Sequence, residues 1–136
     1  MKRFAYWVFL LILLSAAIPL MGMVAILIAV VDGFPVLYRQ RRVGLGGKPF
    51  TMYKFRTMVR GADEIQKKYA RLNEADGPVF KIRDDPRFTR LGKFLSHTGL
   101  DELPQLFNVM RGEMALFGPR PLPVLEAAKL TKRQQE

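Results

Sequence analysis

Two consecutive carboxylates, Asp101 and Glu102, are the strongest candidates in the sequence for catalytic chemistry. The pattern of residues 100–112 predicts one helix that stops at its terminal glycine. Pro104 lacks a backbone N–H and so belongs near the helix start, and Thr98 is the best N-cap candidate. Because the helix dipole favours negative charge there, Asp101 is expected to stay ionised, as a carboxylate nucleophile must. Acids at the start of an ordinary helix fit the same spacing.

Arg120 is the second candidate, because it lies between Pro119 and Pro121 in the segment GPRP. The two prolines restrict the backbone on both sides of the arginine. A guanidinium held in this way suits bidentate binding of a phosphate. A structural turn with an exposed arginine is the alternative.

A basic stripe covers residues 33–62, which contain no acid. One hypothesis is that these residues bind anionic lipid head groups, with an attraction of about 1 kcal/mol per basic residue near the membrane surface. Another is that they bind a phosphorylated substrate. A solvated basic face is the alternative. The glycines at 44, 46 and 47 lack phosphate-loop spacing and predict a hairpin turn. The seven basic residues are Arg39, Arg41, Arg42, Lys48, Lys54, Arg56 and Arg60.

Composition narrows the class of protein. The chain has 136 residues and a formal net charge of +10. It contains no cysteine, which excludes a disulfide scaffold, a zinc finger and a thiol nucleophile. One long apolar run does not fit a polytopic transporter.

That apolar run extends from Phe4 to Val31, 28 residues without a charged side chain. As a straight helix it would measure roughly 42 Å, against a hydrocarbon core of about 30 Å. Pro19 near its middle favours a kink, and both flanks are basic, so each prefers the cytoplasmic side. A re-entrant helix that bends at Pro19 satisfies both flanks. A full membrane span and a cleaved signal peptide remain alternatives.

The remaining chain predicts a small domain of mixed elements. Residues 35–42 and 50–58 read as two strands of a hairpin, and residues 63–74 as an amphipathic surface helix. The acids at 84 and 85 fit a turn, with a metal site as the alternative. Residues 87–95 predict a short helix with apolar residues inward, and residues 113–117 look like a strand.

Six segments, taken in order, resemble the bacterial sugar transferase family, the monotopic phosphoglycosyl transferases. Each segment is weak alone, but their order and number are specific, and together they cover almost the whole chain. They are PVLYRQRRVG (35–44), KFRTM (54–58), DPRFTRLG (85–92), LDELPQLFNV (100–109), GEM (112–114) and GPRP (118–121).

The resemblance implies an α+β fold with an N-terminal re-entrant membrane helix, broken at Pro19, and a small cytoplasmic α/β catalytic domain. The expected boundaries are 1–32 for the membrane helix, 33–121 for the catalytic core and 122–136 for a polar tail. It places the protein in the bacterial inner membrane, in contact with its lipids and with the catalytic domain on the cytoplasmic side.

The resemblance also implies a reaction, which transfers a sugar 1-phosphate from a UDP-sugar to undecaprenyl phosphate and initiates polysaccharide or glycoconjugate synthesis. By this analogy Asp101 attacks the β-phosphate and releases UMP, and polyprenyl phosphate then attacks the phosphosugar-aspartyl intermediate. Glu102 would position or deprotonate the second substrate. Mg²⁺ at Asp101 would offset phosphate charge. The expected phosphate contacts are Lys54, Arg56 and Arg120.

Several departures from the family pattern stand beside the matches. Ser96, followed by His97, occupies a position where an arginine is common, and Ile18 replaces the small polar residue usual before the membrane proline. An aspartate usual near the N-terminus has no match around residues 5–6. The chain ends 15 residues after Pro121, whereas family members normally continue.

These departures leave a truncated, inactive relative as one alternative, and a basic membrane-anchored binding module is a second alternative from another class. No nucleic-acid recognition signature appears in the sequence, so no nucleic-acid partner is expected. The sequence leaves homo-oligomerisation open.

Overall fold

The computed structural model describes residues 2–75, 80–118 and 120–128. Its longest element is the N-terminal helix α1 (Lys2–Val31). The helix runs without interruption through Pro19. Within the described ranges it is the one helix long and apolar enough to cross a membrane, judged by length and composition. Helix α1 therefore fits membrane anchoring, and whether it re-enters or spans the bilayer stays a prediction.

One face of α1 forms part of the hydrophobic core. The four residues that it contributes to the core cluster are spaced by four, three and four positions, which places them on a single side of the helix. The other side carries large exposed apolar residues, including Phe4, Ile12 and Ile26. The core therefore joins the apolar segment to the rest of the chain. Its buried members are Ala17, Met21, Val24 and Ile28 from α1, with Phe55 and Leu95 from outside it.

The predicted hairpin is confirmed as strands β1 (Leu37–Val43) and β2 (Pro49–Phe55), which pair antiparallel. A single 3₁₀ turn at Leu45–Gly47 connects them. Gly46 and Gly47 have φ values of 68° and 72°, which L side chains rarely adopt. This backbone requirement explains why the loop is glycine-rich.

A third strand, β3 (Leu122–Pro123), pairs with the other edge of β1, so the strand order is β2-β1-β3. Residues 113–117, predicted as a strand, contain bends instead. That prediction was wrong because no described strand pairs with this segment, and its aromatic residue Phe117 is 84% exposed. The helix α4 (Val124–Ala127) follows β3 directly.

The helix predicted at residues 63–74 was also wrong in type, since the structure has a 3₁₀ turn at Gln66–Leu72 with no buried residue. Leu72 is half exposed there. An amphipathic pattern stabilises an α-helix only where a neighbouring element covers the apolar face. No described element packs on the apolar face of this segment closely enough to bury any of its residues.

Helix α2 (Arg90–Thr98) begins three residues later than predicted. Its N-cap is Thr89, whose hydroxyl accepts a hydrogen bond of 2.8 Å from the N–H of Gly92. Gly92 lies very close to the chain that follows β2, since an added Cβ would be 1.8 Å from the carbonyl oxygen of Thr57. Leu95 is buried in the core, as the pattern predicted.

The helix predicted for residues 100–112 divides into a 3₁₀ turn at Leu100–Glu102 and helix α3 (Gln105–Met110). Gly99 has a φ of 76°, which ends α2 and redirects the chain. Thr98 does not cap the next helix, because its hydroxyl donates to carbonyls of its own helix. The expected stop at Gly112 is confirmed by its φ of 72°. Together these elements form an α+β fold, as expected.

Candidate active site

Asp101 lies in the 3₁₀ turn at Leu100–Glu102 and is only 2% exposed. The turn contacts both α2 and β2. Its neighbours Leu100 and Leu103 pack against the hydrophobic core. The apolar residues on either side therefore fix the turn, and they hold the carboxylate of Asp101 inside the protein.

Lys54 on β2 supplies the charge partner of Asp101. Its Nζ lies 2.7 Å from Oδ2 of Asp101, and the lysine side chain is 20% exposed. Taking a carboxylate out of water costs several kcal/mol unless a cation and hydrogen bonds compensate it. Lys54 provides this compensation, and both residues are among those that the sequence predicts for the site.

Glu102 makes the second ion pair of the site, with Nη2 of Arg120 at hydrogen-bonding distance. Both side chains are largely open to solvent, in contrast to the Lys54–Asp101 pair. The structure thus brings together four of the predicted site residues. Adjacent carboxylates on one turn each hold a separate cation.

The segment that carries Arg120 is attached to the sheet. Nη1 of Arg42 donates a hydrogen bond of 2.6 Å to the carbonyl oxygen of Pro121, and the Gln40 side chain accepts two more from the same guanidinium. Pro119 lies outside the described residues. Arg42 was part of the predicted basic stripe, but its role in positioning Arg120 was missed, because it depends on the register of β1 and β3.

Arg56, the remaining predicted phosphate contact, is placed elsewhere. Its Nη2 donates to the carbonyl oxygens of Asp32 and Gly33 at 2.5 and 2.9 Å, and the side chain is buried. Its contacts within the described ranges do not include either carboxylate of the pair. Arg56 therefore holds the C-terminal end of α1 against β2. A phosphate contact by Arg56 stays a prediction.

Tyr38 was missed as a neighbour of the site. Pairing of β1 with β2 sets it opposite Lys54, so both side chains lie on one face of the sheet. Its hydroxyl donates to Oδ2 of Asp63 at 2.9 Å. Burial, followed by this hydrogen bond, raises the pKa of Tyr38 to about 12. The alternation of β1 indicated its face, but the pairing with Lys54 required the register.

The acids at 84 and 85, whose sequence fits a turn or a metal site, are each paired with a cation. Arg87 binds the buried Asp85 carboxylate at 2.7 Å, and Lys93 binds the exposed Asp84 at 2.8 Å. Burial alone raises the pKa of Asp85, but the hydrogen bonds and charge of Arg87 outweigh it and lower the pKa below 3.8. The Lys93 hydrogen bond likewise lowers the pKa of Asp84. These contacts explain the segment as a structural turn.

His97 does not contact the carboxylate pair in the structure. Its Nε2 lies 3.3 Å from the carbonyl oxygen of Arg83, at the turn that holds Asp84. Ser96 is half-buried on α2. The histidine therefore adds no cation to Asp101 or Glu102 within the described chain.

The described residues contain no group of three or more His, Cys, Asp or Glu side chains that could hold a metal ion on their own. Mg²⁺ usually binds through one or two carboxylates together with substrate phosphates and water. Asp101 and Glu102 are neighbouring carboxylates of the type that such a site uses. The donor set therefore fits Mg²⁺ held jointly with a phosphorylated substrate.

The arrangement suits chemistry on a phosphate. Asp101 provides a carboxylate oxygen, and Lys54 and Arg120 provide cations that a substrate phosphate can share. Cations near the carboxylate reduce its repulsion toward an anionic substrate. A buried carboxylate flanked by such cations is equipped for nucleophilic attack on phosphorus.

Comparison with known proteins gives one family over the full chain. The sequence model described as "Bacterial sugar transferase" matches residues 1–136. A galactosyl transferase, CpsE, of Streptococcus agalactiae is 45% identical over 104 residues, which are 76% of this chain and 23% of the relative.

Two further relatives are also similar to this chain over two thirds of its length or more. An undecaprenyl-phosphate galactose phosphotransferase of Salmonella typhimurium is 46% identical over 99 residues, 67% of this chain and 20% of the relative. The exopolysaccharide production protein ExoY of Rhizobium meliloti is 42% identical over 108 residues, 76% of this chain and 48% of the relative. The chain thus spans less than half the length of each of these relatives.

Proposed function

The chain belongs to the bacterial sugar transferase family, and we propose that it transfers a sugar 1-phosphate from a UDP-sugar to undecaprenyl phosphate. The observation that carries this proposal is the buried Asp101 carboxylate paired with Lys54 beside the Glu102–Arg120 pair. The name of the Salmonella typhimurium relative supports undecaprenyl phosphate as acceptor. A relative from Erwinia amylovora, 46% identical over 100 residues, is named a UDP-galactose-lipid carrier transferase, which supports a UDP-sugar as donor.

In the first step an oxygen of Asp101 attacks the β-phosphorus of the UDP-sugar. The bond from that phosphorus to the bridging oxygen breaks, and UMP leaves with the bond's electron pair. The sugar phosphate is then held on Asp101 as an acyl phosphate. Lys54 and Arg120 offset the negative charge that accumulates on the phosphate oxygens and on UMP.

In the second step a phosphate oxygen of undecaprenyl phosphate attacks the same phosphorus, and the bond to Asp101 breaks. The product is an undecaprenyl-diphospho-sugar, and Asp101 returns as a carboxylate. Glu102 orients the incoming phosphate monoester or takes its proton. Mg²⁺, when bound by Asp101 with the substrate phosphates, supplies further charge neutralisation.

A membrane site suits these substrates because one is water-soluble and the other is a long lipid. The apolar outer side of α1 and the basic residues of β1 support a position at the membrane surface. We propose that the protein is attached to the bacterial inner membrane with its carboxylate pair on the cytoplasmic side. Initiation of polysaccharide synthesis agrees with the name of the Rhizobium meliloti relative, an exopolysaccharide production protein.

The two-step mechanism is tested by UMP release in the absence of acceptor. Detergent-solubilised protein mixed with a UDP-sugar and Mg²⁺ is expected to release about one UMP per protein and to gain the mass of the sugar phosphate. Asp101→Asn should abolish both signals, whereas Glu102→Gln should keep the first release and slow turnover with undecaprenyl phosphate. Absence of UMP with every UDP-sugar tested would contradict the proposed activity and favour an inactive relative.

The re-entrant arrangement of α1 is tested by labelling, which the absence of native cysteine makes direct. Single variants Lys2→Cys and Leu45→Cys in membrane vesicles should react with an impermeant thiol reagent from the same side. The reason is that a helix that bends at Pro19 returns to the leaflet it entered. Labelling from opposite sides would establish a full span instead.

A further inference from the structure

An apolar groove of about 520 Å³ lies between α1, the β-hairpin and α3, and its lining includes neither Asp101 nor Glu102. Gly22 leaves room in it, because an added Cβ would meet no atom within 4 Å. A groove of this size accommodates part of a hydrocarbon chain. Its lining includes Ile18, Met21, Gly22, Ala25, Tyr53 and Phe107.

Two arginines stand at the Tyr53 side of this groove. The guanidinium carbons of Arg111 and Arg39 lie 5.8 and 5.9 Å from the centre of the Tyr53 ring. In the described part of the chain, neither arginine forms an ion pair with a carboxylate. By contrast, Lys54 and Arg120 each hold an acid. The groove thus ends at two positive charges that no acid of the described residues neutralises.

The groove lies on the opposite face of the sheet from the candidate active site. Tyr53 and Lys54 are consecutive on β2, and consecutive strand residues point to opposite faces. Arg39 is paired with Tyr53 in the β1–β2 register, so it shares the Tyr53 face. A phosphate bound by Arg39 and Arg111 would therefore be separated from Asp101 by the sheet.

We propose that the groove binds a resident anionic phospholipid, with its phosphate on Arg39 and Arg111 and one acyl chain along Gly22. The two arginines provide charge complementarity, and the apolar lining provides the chain site. The exposed apolar side of α1 gives the groove access to a bilayer. Because the two faces of the sheet separate it from Asp101, the occupant is a structural lipid and not the acceptor. This inference does not depend on the proposed reaction.

Native mass spectrometry of the full chain in detergent, titrated with phosphatidylglycerol, tests the site. One bound phosphatidylglycerol is expected, with weaker retention of phosphatidylcholine. The double variant Arg39→Gln/Arg111→Gln should weaken phosphatidylglycerol binding at least about tenfold. Arg41→Gln is the matched control, because Arg41 is an exposed arginine on the same strand face without a contact to Tyr53, and it should bind as the unmodified chain does.

The acyl-chain site has its own variants. Gly22→Leu fills the groove and should reduce phosphatidylglycerol binding, whereas Gly22→Ala should not. Equal binding by the double variant and Arg41→Gln, with both folded by circular dichroism, would overturn the proposal. It would also be overturned if undecaprenyl phosphate displaced phosphatidylglycerol one for one and the double variant raised the KM for that acceptor, since the groove would then be the acceptor site.

Discussion

At the scale of single residues, the two ion pairs of the site differ in what they contribute to folding. Lys54 and Asp101 are mostly buried, so each neutralises the charge of the other, which has lost most of its hydration. Glu102 and Arg120 are exposed, and exposed pairs add little stability. A substrate phosphate can therefore replace Glu102 as the partner of Arg120 with little loss of free energy. The Lys54–Asp101 pair, by contrast, stabilises the folded structure.

This difference predicts opposite outcomes for two substitutions. Lys54→Met should lower stability by about 3 kcal/mol, because it leaves a buried carboxylate unpaired. Adding Asp101→Asn should restore much of that loss. Arg120→Gln should change stability by less than about 1 kcal/mol, yet slow UMP release roughly a hundredfold.

Thermal unfolding in detergent, alongside UMP release, measures both effects. An unchanged melting temperature for Lys54→Met would contradict the assigned compensation. A fully active Arg120→Gln variant would remove Arg120 from the phosphate site.

At the scale of elements, the position of the carboxylate pair depends on how closely α2 approaches the chain after β2. Gly92 on α2 lies against the backbone of Thr57, where a side chain has no space. The hydroxyl of Thr89, the N-cap of α2, also donates to Asp32 Oδ2 at the end of α1, where Arg56 binds the adjacent carbonyls. The ends of α1, β2 and α2 thus meet at one point.

Gly92→Ala is expected to destabilise the protein by about 1–3 kcal/mol, because a backbone atom must move to admit the methyl group. Gly22→Ala is the matched control in α1. The space beside it is open, so the substitution should stabilise the helix by about 0.5–1 kcal/mol. Melting temperatures of the two variants provide the comparison, and a Gly92→Ala protein as stable as the unmodified chain would contradict the close approach.

At the scale of the whole molecule, α1 serves as both an apolar outer surface and a part of the core. Ile28 is fully buried against the domain, whereas Ile26, two residues earlier, is 67% exposed. The helix therefore fixes how the domain sits relative to any membrane that α1 enters. Loss of α1 packing should disturb the carboxylate pair as well as attachment, since Leu100 and Leu103 pack on the same core.

The two isoleucines test this dual role. Ile28→Ala should cost about 2–5 kcal/mol, as expected for a buried large-to-small substitution. Ile26→Ala should change stability by no more than about 0.5 kcal/mol. Unfolding in detergent, followed by circular dichroism, measures both variants. Equal stability of the two would indicate that α1 does not belong to the core.

The sequence by itself determined the apolar helix, the hairpin, the family resemblance and four residues of the candidate site, because these follow from local composition and ordered motifs. It predicted the carboxylate pair on an α-helix, whereas the structure has the pair in a 3₁₀ turn between Gly99 and Pro104. Only the tertiary structure decided that Arg56 binds the end of α1 and that Tyr38 faces Lys54. The physical reason is that charge and periodicity are encoded locally, whereas partners are chosen by strand register and by which surfaces pack.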